Sequence, residues 1–67
     1  MFIVMLEYTK TILHKVSFSG ELFRKELKKS LHFLKKEEVI MLQIWCLVSY
    51  NEKYGDIIRD VFRNFMR

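Results

Sequence analysis

The side chains that could do chemistry in this 67-residue chain are few and far apart. His14 and His32 fall on the polar faces of different helical segments, with no cysteine or carboxylate at ligand spacing beside them, so no metal centre is expected. Cys46, the only cysteine, sits inside "VIMLQIWCLV", without a neighbouring His or Lys in sequence to hold a thiolate; nucleophilic catalysis is not expected of it. Glu37 and Glu38 are adjacent, which on a helix turns them about 100° apart and keeps them from acting as a paired acid and base. The two glycines, Gly20 and Gly55, are isolated, so there is no loop to cradle a phosphate. No catalytic, cofactor-binding or metal-binding residues are assigned, and the expectation is a protein that is not an enzyme.

Charge is the stronger signal. The formal net charge is +4, and all of the excess lies in residues 21–36, where Arg24, Lys25, Lys28, Lys29, Lys35 and Lys36 stand against Glu21 and Glu26. On one continuous helix Arg24, Lys25, Lys28, Lys29, His32, Lys35 and Lys36 would share an arc of roughly 140° opposite Phe23, Leu27, Leu31 and Leu34. Such an arc suits a phosphate backbone or an anionic membrane surface. It equally suits a solvated face, and no aromatic residue interleaves it. Arg59, Arg63 and Arg67 repeat every four residues near the end of the chain and raise the question of a helix-turn-helix with Gly55 in its turn. Asp56 and Asp60 argue against it, because carboxylates on a reading helix repel phosphate; Asp56 with Arg59, and Asp60 with Asn64, are expected to be ordinary surface pairs.

The elements that must carry these residues read as all-α. There is no proline and no repeat, and spacings near 3.6 residues persist between the glycine breaks. The expected architecture is a single domain, residues 1–67, folded as a small bundle of four short helices over about 5–16, 20–34, 36–54 and 56–66, with an extended lead-in before residue 5. The first helix shows Met5, Leu6, Tyr8, Thr9, Ile12, Leu13 and Val16 on one face, a face that Ile3 and Val4 miss. Ser19 is the expected cap of the second helix, with Glu21 in its first turn and Phe18 stapled to Phe23. "LKKEEV" reads as a helix junction, with lysines suited to a C-terminal end and glutamates to an N-terminal one. Gly55 is expected to stop the third helix, and Asp56 to cap a fourth whose stripe is Ile57, Ile58, Val61, Phe62, Phe65 and Met66.

Residues 39–48 are apolar at nine positions of ten, Gln43 being the exception. The run is too short to span a bilayer, which takes about 20 residues. It is also apolar all the way round, and a bundle helix meets only about two neighbours closely. One side should therefore face the core and the other a partner. If Ile40, Ile44 and Leu47 face inward, Met41, Trp45 and Val48 are left as the interface candidate. A chain of this size buries only about 60% of its unfolded surface, and with neither disulfide nor metal to staple it, self-association is the remaining means of support. A homodimer is expected.

The lone thiol suits a reducing compartment, and "MFIVMLEYTK" has no basic region before its short apolar run and no cleavage site after it, so a cytoplasmic location is expected. Whether Met1 or Met5 is the natural start stays open. The leading expectation is a non-enzymatic helical protein that works through protein contacts as a homodimer. The second is a small basic nucleic-acid-binding or regulatory protein using the lysine-rich face of the second helix, and the third is peripheral contact with anionic membrane.

Overall fold

A computed structural model describes the backbone of residues 2–65 and the side chains of residues 5–65. Expectations that concern Met1, the side chains of Ile3 and Val4, Met66 and Arg67 lie outside the described residues. Among the described residues the fold is all-helical, with three helices where four were expected: α1 (Phe2–Lys15), α2 (Gly20–Leu31) and α3 (Lys36–Phe65).

Helix α1 begins at Phe2, so the extended lead-in is helical instead. Its two threonines do not break it. Thr9 Oγ1 donates to the Met5 carbonyl at 2.9 Å and Thr11 Oγ1 to the Glu7 carbonyl at 3.0 Å, which satisfies the hydroxyls within the helix. Only Leu6, Thr9 and Leu13 of its apolar face are buried, while Met5 and Tyr8 stay at the surface.

Ser19 caps α2 as expected, in extended conformation (φ −135°, ψ 121°), its Oγ accepting from the Leu22 N–H at 3.4 Å. The expected staple between Phe18 and Phe23 is absent. Phe18 is 75% exposed and Phe23 fully buried, because the space over the Phe23 ring is taken by Tyr50 (centroids 5.1 Å apart) and Tyr54 (4.7 Å). The helix also stops at Leu31, three residues early, where His32 becomes its C-cap. At the start of α3, the Lys35 N–H donates to Glu38 Oε1 at 2.8 Å, so the charge quartet is a helix junction, with Glu38 turned back onto the chain entering its own helix. Glu38 is buried, and its Oε2 has no hydrogen-bond partner in the structure.

Gly55 does not end α3. No glycine has positive φ, so the left-handed stop is not formed and the chain runs on as helix. The change of direction expected near residue 55 is a kink instead, at Tyr50 (φ −130°, ψ 15°) and Tyr54 (φ −130°, ψ 24°). Both tyrosines reach back toward the end of α1. Tyr54 Oη donates to the Ser17 carbonyl at 2.6 Å, and Tyr50 Oη lies 3.1 Å from His14 Nδ1. Those hydrogen bonds, with the two rings packed on Phe23, hold the departure from helical dihedrals in place.

The core joins all three helices: Leu6 and Leu13 from α1, Phe23, Leu27 and Leu31 from α2, and Val39, Leu42, Cys46, Tyr54, Ile58, Val61 and Phe62 from α3. An ion pair joins α2 to α3, Arg24 Nη1 to Asp60 Oδ2 at 2.8 Å.

Candidate functional site

Two surfaces of α3 and α2 carry the features expected to matter. The first is the outer side of α3. Val39, Leu42 and Cys46 point into the core, which places Ile40, Met41, Ile44 and Val48 on the opposite side, exposed by 45, 53, 59 and 80%. The inward assignment of Ile40 and Ile44 is therefore reversed, since α3 is rotated so that Leu42 and Cys46 fill the interior. Of the interface candidates, Met41 and Val48 stand open, whereas Trp45 is half-buried. The Lys10 ammonium lies 5.8 Å from the Trp45 ring centre and Tyr50 meets it edge-on at 5.6 Å. Ile40, Ile44 and Val48 follow one another at four-residue spacing and so form a ridge, with Met41 beside it. No charged residue occurs between Glu38 and Glu52.

The second surface is basic, and it is divided. Because α2 ends at Leu31, Lys35 and Lys36 are not on its wheel: Lys35 lies in the connection and Lys36 opens α3. Lys29 lines a groove of about 270 Å³ between α1 and α2, together with Met5, Tyr8, Ile12, Glu26 and Phe33. Arg24, Lys28 and His32, at successive four-residue steps, face the other way, into a cleft of about 400 Å³ closed by Asp60, Val61, Asn64 and Phe65 of α3 and floored by Leu31. Lys25 lines neither cavity. An aromatic residue thus joins the cations after all, but it comes from the far end of the chain. His32 and Phe65 meet edge-to-face, centroids 6.0 Å apart. No sequence signal could have paired them, because their meeting depends on the kink that returns α3 to α2.

Asp60 bonds to Asn64 (3.5 Å), and Asp56 to Arg59 (3.4 Å), as expected of surface pairs. The principal partner of Asp60 is Arg24, whose hydrogen bond holds its carboxyl below the usual carboxylate range; partial desolvation opposes this, and the charges of Arg24, Arg63 and Lys28 reinforce it. The break before the arginine stripe is the bend at Tyr50 and Tyr54, not a left-handed turn at Gly55, and the segment after it packs Ile58, Val61 and Phe62 into the core. Cys46 is fully buried, and burial pushes its thiol up to about 12. Among the described residues no group of three or more His, Cys, Asp or Glu side chains is placed to hold a metal ion, and no helix is long and apolar enough to cross a membrane.

Compared with known proteins, the chain matches no protein-family model, no curated protein and no solved structure.

Proposed function

We propose that this is a non-enzymatic protein that acts through protein contacts, and that its first partner is a second copy of itself. The observation that carries this reading is the exposed ridge Ile40, Ile44 and Val48, with Met41 beside it, on a helix whose other side is core. An antiparallel twofold centred on Ile44 sets Ile40 of one copy against Val48 of the other, apolar on apolar along the whole ridge. The uncharged span between Glu38 and Glu52 lets this happen without burying an unpaired charge. A standard interface takes about 800 Å² from each partner, roughly a sixth of the 4833 Å² surface of this chain. Four ridge side chains fill only part of that, so the proposed interface is smaller than a standard one.

Sedimentation equilibrium on the unaltered chain should show dimer at high micromolar concentration, and Ile44→Lys with Val48→Lys should leave monomer of unchanged helicity. A strict monomer at that concentration, or a dimer indifferent to both substitutions, removes the proposal. The nucleic-acid reading has less support, since Lys29 faces a different groove from Arg24, Lys28 and His32, and Arg24 is already paired with Asp60. Peripheral membrane contact has least, because the Phe23, Leu27 and Leu31 face that α2 would insert is core.

A further inference from the structure

The cleft between α2 and the last turns of α3 combines three features that a plain solvated face lacks. Arg24, Lys28 and His32 stand at steps of about 6 Å along one edge, each lining the same cavity. Arg24 donates one hydrogen bond among the described residues, from Nη1 to Asp60 Oδ2, and a guanidinium carries five N–H donors in a fixed fork. Lys28 lines the same cavity and makes no ion pair among the described residues, Asp60 acting on it only at longer range. The field there is positive even beside the one carboxylate, since Arg24, Arg63 and Lys28 all act to keep Asp60 ionised. The third feature is an apolar wall: Phe65, 41% exposed, offers its ring against the edge of His32 over a buried Leu31 and Val61 floor. A few convergent polar groups over an apolar lining, at about 400 Å³, match the ordinary make-up and size of a small-molecule site.

We propose that this cleft binds a small organic anion with a flat apolar body, an aryl phosphate or aryl carboxylate. The head group takes Lys28 and the free donors of Arg24, and the ring lies against Phe65. Neither half suffices alone. A bare inorganic anion leaves the Phe65 wall wet, and a neutral aromatic leaves the cations unmatched. Asp60 is an opposing charge at the same site, which makes a sharp expectation possible: its removal should strengthen binding, although it also removes the only inter-helix ion pair among the described residues.

The test is an amide NMR titration of the full chain with phenyl phosphate at low salt, set beside inorganic phosphate, benzyl alcohol and a single-stranded oligonucleotide. Saturable shifts at Lys28, His32, Asn64 and Phe65 are expected with phenyl phosphate. Lys28→Gln should weaken binding by about fivefold, the effect of one partly screened charge at contact distance, and Asp60→Asn should tighten it by a similar factor. Helicity of both variants, checked by circular dichroism, should match the parent, because each change is at a partly exposed side chain. Inorganic phosphate that binds as well as phenyl phosphate would reduce the site to unspecific charge. Unsaturable shifts, an oligonucleotide that binds where phenyl phosphate does not, or an Asp60→Asn variant that folds but binds no tighter would each overturn the proposal.

Discussion

Phe23 is the residue on which the bend of α3 rests. Its ring is fully buried and bears Tyr50 at 5.1 Å (interplanar angle 62°) and Tyr54 at 4.7 Å (31°), the two residues whose dihedrals leave the helical range. Replacing it with leucine keeps an apolar side chain in the site, and near-volume swaps of this kind ordinarily cost less than about 1.5 kcal/mol. Two aromatic pairs are lost as well, at roughly 0.5–1.5 kcal/mol each, so Phe23→Leu should cost about 1–4.5 kcal/mol in all. A chain of this length has a total stability of about 3–10 kcal/mol. The variant is thus folded but visibly weaker, whereas Phe23→Ala, at about 3–5 kcal/mol for truncation alone, stands near the unfolding threshold. Urea unfolding followed by far-UV circular dichroism, at one protein concentration so that self-association is held constant, measures both. A double-mutant cycle with Tyr50→Leu isolates the ring contact, since the lost hydrogen bond to His14 appears in both legs. A Phe23→Leu cost under about 0.5 kcal/mol, or a coupling energy of zero, would refute the view that ring packing holds the kink.

Gly55→Ala should raise the melting temperature: a Cβ there would meet only the ends of flexible side chains, Asn51 Oδ1 at 2.9 Å and Arg59 Nη2 at 3.1 Å, and glycine inside a helix costs roughly 0.5–1 kcal/mol relative to alanine. A lowered melting temperature would show that Asn51 and Arg59, which are hydrogen-bonded to each other at 3.2 Å, cannot give way to the added methyl. Cys46 should resist disulfide-exchange reagents in the native state and react promptly in urea. Because its folded-state proton is held up to about 12 against an ordinary 9.0, the folded protein retains a proton that the unfolded chain gives up, so this group's contribution is intact below pH 9 and declines as pH rises from there toward 12. Equal thiol reactivity in water and urea would contradict the burial. Glu38→Ala removes the hydrogen bond to the Lys35 N–H, a loss of about 0.5–2 kcal/mol for a cap. The lower half of that range is expected, since a buried oxygen without a partner goes too. Amide exchange at Lys35 that is unchanged in the variant would count against the cap.

Much of the local structure was legible because it depends on neighbours in sequence. Ser19 caps whatever helix follows it, since the hydroxyl and the amide it accepts from are three residues apart. The pairs Asp56–Arg59 and Asp60–Asn64 also follow from helical spacing. Gly55 misled because a glycine permits a left-handed stop without compelling one. The basic row was overdrawn for a related reason. Its seven members share one wheel only if the helix continues past residue 34 to Lys36, whereas α2 ends at Leu31.

The amino-acid order alone determined that the chain is helical, that its positive charge is gathered around α2, and that α3 has more apolar surface than one core side can use; each is a matter of composition and period. Tertiary structure alone decided which side of α3 is outside, because that depends on how α1 and α2 pack over Leu42 and Cys46. It also decided that Phe65 stands beside His32 and Asp60 beside Arg24. Those meetings join residues more than thirty positions apart, and they arise from the bend at Tyr50 and Tyr54, which carries the end of the chain back onto α2.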